Sequence, residues 1–252
     1  MTPPISRTRS NAAAAAKLIA LLFAALKFGK LAPAVLSMLL SIGVYALLFG
    51  WQYAAGFVAL ILVHEMGHYL AARCRGLDVG LPTFIPFVGA WIQLKDLPHD
   101  AETEAYVGIA GPLVGTLGAL ACFYLARSKH SPLLLALAYS GFFLNLFNLI
   151  PLSPFDGGRV TAAISPRLWL VGVPLLVALF FYSPSPLLIL MAVLALPSVV
   201  KAWRGIRSPE EQAYYNVSAE TRVSYAALYL GLAAFLAIMC EQLHAELPRS
   251  HL

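Results

Sequence analysis

Stretches free of Asp, Glu, Lys, Arg and His divide this chain into segments. Residues 31–63 hold 33 positions without an ionisable side chain. As one helix they would be about 50 Å long at 1.5 Å per residue, too long for a hydrocarbon core of about 30 Å. They therefore read as two spans parted near Gly50-Trp51-Gln52, the second continuing through His64, Glu65 and His68 to about Ala72. Residues 105–126 form a third span and 131–152 a fourth. Residues 168–200, again 33, are divided by Ser183-Pro184-Ser185-Pro186 into two shorter spans, and 223–240 make the seventh. The predicted fold class is an all-α polytopic membrane protein with about seven transmembrane helices. One apolar stretch departs from the helical pattern: residues 81–94 (LPTFIPFVGAWIQL) are rich in β-formers and too short to span. They predict a small re-entrant β-hairpin after the histidine-bearing helix, turning near Val88-Gly89. Backbone of that kind persists at membrane depth only where protein or a water-filled cavity satisfies its amides.

Composition agrees with the pattern. The chain of 252 residues is 60% apolar and 12% charged, against about 45–50% and about 25% for soluble domains, and its mean hydropathy is +0.77. A cytosolic globule and a disordered chain are both excluded. Cys74, Cys122 and Cys240 have no ligand spacing and read as reduced core thiols.

The charge tests the span count. With a cytoplasmic N-terminus and seven spans, fourteen of the 17 Lys and Arg residues fall on the cytoplasmic side, and only Arg127, Lys129 and Arg249 on the other. This is a strong positive-inside bias, and it assigns the net charge of +5 to a lipid surface, with no nucleic-acid partner. The expected localisation is a multi-pass protein of a prokaryotic cell membrane. Residues 12–28 are apolar but contain Lys17 and Lys27, which fits a helix lying at the interface with its lysines reaching headgroups; a further span or a signal segment is the alternative. The chain thus divides into an N-terminal basic segment and interfacial helix (1–30) and a membrane-embedded domain (31–252) with its core over 51–159.

Ionisable groups inside a span are costly and need partners. The concentrated case here is V-H-E-M-G-H. On a helix, His64 and His68 lie one turn apart on one face and can share a metal, with Glu65 beside them to act on water. With six His and eight Glu, this spacing arises by chance about 0.4% of the time. A catalytic zinc takes three protein ligands. Among carboxylates, Asp156 lies just past the fourth span, which runs the same way as the second, so it approaches the histidines. Asp78, Asp96, Asp100, Glu102 and Glu104 are on the long loop, and Glu241 and Glu246 are at the opposite face. Pro151, Pro154 and Gly157-Gly158 interrupt the helix and free Asp156 to turn. Asn145 and Asn148 either hold helices together or bind a substrate backbone. Gly108, Gly111, Gly115 and Gly118 read as a close helix-packing stripe.

H-E-x-x-H in one apolar segment, followed by N-x-x-P-x-x-P-x-D-G-G (Asn148 to Gly158), resembles the site-2 protease family of intramembrane zinc metalloproteases, in its short prokaryotic form without a PDZ or CBS domain. The resemblance covers about residues 51–159. It implies one zinc ion per chain bound by His64, His68 and Asp156, with Glu65 as catalytic base and a membrane-protein substrate. It further implies that the hairpin offers an edge strand to substrate, with Phe87, Val88, Gly89 and Asn148 as binding residues. Without a recognition domain, selection rests on the membrane domain or on a regulatory partner. Many members place an Asn shortly after a Gly-Pro in the intervening span, whereas here Gly111-Pro112 leads to Gly115. The implied activity is that of a metalloendopeptidase. A transporter or channel using buried His and Glu, and a catalytically silent zinc scaffold, are the alternatives.

Overall fold

The computed structural model describes Gly29, residues 31–94 and residues 98–247; the interfacial helix expected over residues 12–28 lies outside them. Helix α1 (Ala32–Phe49) opens on Pro33 and closes at Gly50, whose φ of 82° only glycine adopts freely. Helix α2 (Trp51–Cys74) starts at once, so the break expected near residue 50 is a single residue. Then come strands β1 (Val79–Ile85) and β2 (Gly89–Leu94), an antiparallel pair with Pro82 opposite Ile92 and Ile85 opposite Gly89. The turn is Pro86-Phe87-Val88, with Gly89 the first residue of β2.

Helix α3 (Ala101–Lys129) is capped by Asp100, whose Oδ1 accepts from the Thr103 amide at 2.6 Å. Glu102 and Glu104 occupy its first turn and Arg127 and Lys129 its last, as the helix dipole favours. Helix α4 (Pro132–Asn148) begins on a Ser131 cap with Pro132 at its first position. It ends four residues short of the expected fourth span, and an irregular segment leads to α5 (Asp156–Ile164). After one 3-10 turn follow α6 (Trp169–Tyr182), α7 (Pro186–Arg204), α8 (Pro209–Tyr214) and α9 (Ala219–Glu246). Helices α5 and α8 were not foreseen. Each is too short to show a sustained apolar period.

Among the described residues, five helices are long and apolar enough to cross a membrane: α1, α2, α3, α7 and α9. Helix α4 and the segment Pro166–Tyr182 are apolar but shorter, so length alone supports five spans, not seven. Cys240 is buried and Cys122 partly so, whereas Cys74 is exposed at the end of α2, contrary to its expected place in the core. The α7–α8 corner is held by Glu211, which pairs with Lys201 at 3.4 Å and Arg204 at 3.3 Å and accepts from the Arg207 amide at 3.0 Å. These contacts, the Arg207 amide foremost, hold its carboxyl below the usual range.

The centre is the packing of α2, α3, α4 and α5. Tyr53 bonds Ser140 at 2.7 Å, and His64 bonds Asn145 at 2.8 Å. The order is the same along both helices, so α2 and α4 run in one direction. Helix α9 closes over α4 and α5 through Leu232, Leu236 and Leu243 against Phe142, Leu149 and Val160. Close approach of α2 to α3 depends on Gly67, where an added Cβ would overlap the Ala110 carbonyl, a backbone atom unable to step aside. Gly67→Ala is therefore expected to lower stability by about 1–3 kcal/mol. At Gly43 in α1 a Cβ meets nothing within 4 Å, and Gly43→Ala is expected to be neutral or to stabilise by up to about 1 kcal/mol. Thermal unfolding in detergent compares the two, and equal shifts would refute this account of the α2–α3 contact.

Candidate metal centre

His64, Glu65 and His68 lie on the buried face of α2. Asp156, at the first turn of α5, is also buried. Its position is fixed by its glycines. A Cβ on Gly157 would overlap the Leu149 carbonyl, and one on Gly158 the Ser153 amide, so the segment after α4 folds directly onto Asp-Gly-Gly. The Gly158 carbonyl accepts from Trp169 Nε1 at 2.8 Å, and the Gly157 carbonyl from Thr161 Oγ1 at 2.7 Å.

Three ligand-type atoms converge. His64 Nε2 lies 3.1 Å from Asp156 Oδ2, His68 Nε2 lies 3.2 Å from the same oxygen, and the two Nε2 atoms are 3.1 Å apart. The other ring nitrogens identify which atoms carry protons. His68 Nδ1 is 2.7 Å from the Val107 carbonyl, which only accepts. His64 Nδ1 is 2.8 Å from Asn145 Oδ1, while Asn145 Nδ2 donates to the Gly141 carbonyl at 2.7 Å. The network assigns the hydrogen to Nδ1 in both rings, and a neutral imidazole has only one. Both Nε2 atoms therefore present lone pairs to each other and to a carboxylate oxygen. A buried cluster of acceptors without a donor is unfavourable, and a cation between them removes the conflict. Zinc bonds of about 2.0–2.2 Å set tetrahedral ligand atoms about 3.3 Å apart, close to the triangle present. The donor set of two imidazoles and one carboxylate fits zinc.

Glu65 is 7% exposed and has no hydrogen-bond partner among the described residues. The titratable groups around it are His68, His64, Asp156 and Arg159, the last one turn beyond Asp156. Such a carboxylate is available to a proton.

The remaining expected residues lie elsewhere. Asn148 is half-buried and its Nδ2 donates to the Leu144 carbonyl at 3.0 Å; no hydrogen bond joins it to the ligand triangle. Phe87 and Val88 are exposed at the hairpin tip, where Phe87 packs edge-on against Tyr45 and its amide donates to the Tyr45 hydroxyl at 2.9 Å. Gly89 there has open space around it and a φ of 118°. The sequence left the role of Asn145 open, and nothing in it marks the Val107 carbonyl, a backbone acceptor without a side-chain signature. The glycine stripe on α3 serves the site as well as packing. A Cβ on Gly111 would overlap the His68 ring, one on Gly115 the Asn145 amide, and one on Gly108 would come within 2.9 Å of Arg159 Cβ. The space after Gly111-Pro112 is thus filled by an asparagine of α4.

Residues 52–130 match the model of Peptidase family M50. A zinc metalloprotease of Methanocaldococcus jannaschii is 34% identical over 113 residues, which cover 43% of this chain and 32% of that one. A protein of Oryza sativa subsp. japonica named "Probable zinc metalloprotease EGY1, chloroplastic" is 26% identical over 213 residues, covering 66% and 36%. The chain spans about a third of the length of these two relatives. The solved structure of a site-2 protease from Methanocaldococcus jannaschii is 23% identical, covers 75% of this chain and 90% of that one, and superposes with a TM-score of 0.44. The family match contains the H-E-x-x-H helix and ends before Asp156. Over the segment that carries the H-E-x-x-H helix, this chain is thus similar to peptidase family M50 and to proteins named as zinc metalloproteases.

Proposed function

We propose that this protein is an intramembrane zinc metalloendopeptidase that hydrolyses peptide bonds in or near transmembrane segments of membrane proteins. The observation that carries the proposal is the convergence of His64 Nε2, His68 Nε2 and Asp156 Oδ2 within 3.2 Å of one another, with an uncommitted buried carboxylate, Glu65, on the same helix. His64, His68 and Asp156 are the metal ligands. Zinc supplies Lewis acidity at such a site, polarising a carbonyl and lowering the pKa of water toward 7. Glu65 is the general base, accepting a proton from the attacking water and returning it to the leaving amine. Burial excludes bulk water and strengthens each of these interactions.

A transmembrane helix hides its carbonyls in hydrogen bonds, so the substrate unwinds locally and pairs with the hairpin as an added strand. The β1 edge is engaged by α1, whose Ser37 Oγ accepts from the Phe84 amide at 3.0 Å and whose Tyr45 hydroxyl accepts from that of Phe87. The added strand therefore joins β2, with Phe87, Val88 and Gly89 at its end and Asn148 toward the cleavage site. Helix α4 and the α6 segment count as spans, giving seven with a cytoplasmic N-terminus. The bias of fourteen basic residues against three supports this orientation.

A transport function is not favoured. The triangle matches a tetrahedral ligand set, and the homologues are named as metalloproteases. Two variants separate binding from chemistry. Glu65→Gln is expected to retain one zinc per chain, while cleavage of a co-expressed membrane substrate falls about 100- to 10,000-fold; undiminished cleavage would remove Glu65 from the mechanism. Asp156→Asn is expected to lower the zinc content of purified protein, measured by elemental analysis, and full stoichiometry would require another third ligand.

A further inference from the structure

Asn145 is 1% exposed and has both ends of its amide committed. Its Nδ2 donates to the Gly141 carbonyl one turn back on α4, which directs its Oδ1 at His64 Nδ1 on α2. Only an acceptor at this place makes His64 keep its proton on Nδ1 and present a lone pair at Nε2. His68 is served by a backbone carbonyl, which side-chain substitution cannot remove. His64 depends on one side chain from another helix, and that side chain depends on Gly115, since any Cβ at 115 would occupy its place.

We propose that Asn145 is a positioning residue that fixes the tautomer and ring orientation of His64, and that Gly115 on α3 is the space that admits it. This rests on the metal-centre assignment above and goes beyond it by naming what sets the strength of that centre. The Asn145 carbonyl oxygen takes the Nδ1–H, the His64 ring is held edge-on to His68 at a centroid distance of 4.8 Å, and both Nε2 atoms are aimed at one point. Loss of such an outer partner of a metal-bound histidine typically weakens metal affinity 10- to 100-fold.

The test is zinc affinity, measured by competition with a chromogenic chelator on detergent-purified protein, with apo-protein unfolding temperature recorded for each variant. Asn145→Leu, similar in size and without an acceptor, is expected to weaken zinc binding about 10- to 100-fold. Asn145→Asp, which still accepts from Nδ1–H, is expected to bind at least as tightly as the parent. Gly115→Ala, which touches no ligand, is expected to weaken binding by displacing the amide. If Asn145→Leu fails to fold, Gly115→Ala and Asn145→Asp carry the comparison. Unchanged affinity in Asn145→Leu, or equal loss in the Leu and Asp variants, would overturn the proposal. His64→Ala separates this failure from that of the site itself: parental zinc affinity in that variant would refute the metal centre, whereas its loss beside an intact Asn145→Leu would refute only the role of Asn145.

Discussion

Two imidazole nitrogens and a carboxylate oxygen, all bearing lone pairs, stand within 3.2 Å of one another in a buried interior. Left without a cation, that arrangement is unfavourable in a low dielectric. The surrounding fold is organised to maintain it. Helix α2 supplies both histidines at one-turn spacing, α5 brings the carboxylate, and α3 and α4 supply the acceptors that fix the ring protons. None of these elements holds the site alone.

Helix α3 owes its closeness to missing side chains. Gly108, Gly111 and Gly115 lie on its inner face at turn spacing, and each faces a group of the centre or its support: Arg159, His68 and Asn145. The same closeness lets the Val107 carbonyl reach the His68 ring. Close packing of helices in lipid gains mainly from van der Waals contact and hydrogen bonds, with little hydrophobic drive. A small-residue face therefore serves cohesion and the geometry of the His64–His68–Asp156 triangle together. The segment joining α4 to α5 follows the same logic, as Gly157 and Gly158 let it fold back against its own carbonyls and bring Asp156 over the histidines.

The hairpin is the one paired-strand element of the described residues, and hydroxyls of α1 meet one amide of β1, that of Phe84, and one of the turn, that of Phe87. Backbone polar groups at membrane depth require such partners. Helix α1 is therefore a support for the strands as well as a membrane helix, and the tip carrying Phe87 and Val88 remains exposed.

Much of this was legible in the sequence. Ionisable-free runs located the apolar helices, because a bilayer imposes a length and excludes charge. The Pro pair at 184 and 186 and the single Gly50 marked breaks, because each restricts or frees the backbone locally. H-E-x-x-H declared its geometry because residues four apart on a helix must share a face. Apolar runs overestimated α4, since hydropathy cannot show where a helix unwinds before its apolar residues end. The sequence could not decide that Asn145 and not Asn148 reaches His64: both are polar residues on one helix, and only the angle at which α4 crosses α2 distinguishes them. Nor could it show that Val107 lends its carbonyl to His68, since every residue carries that group. Covalent spacing along one helix determined the histidine pair, and the packing of four helices decided how that pair is oriented.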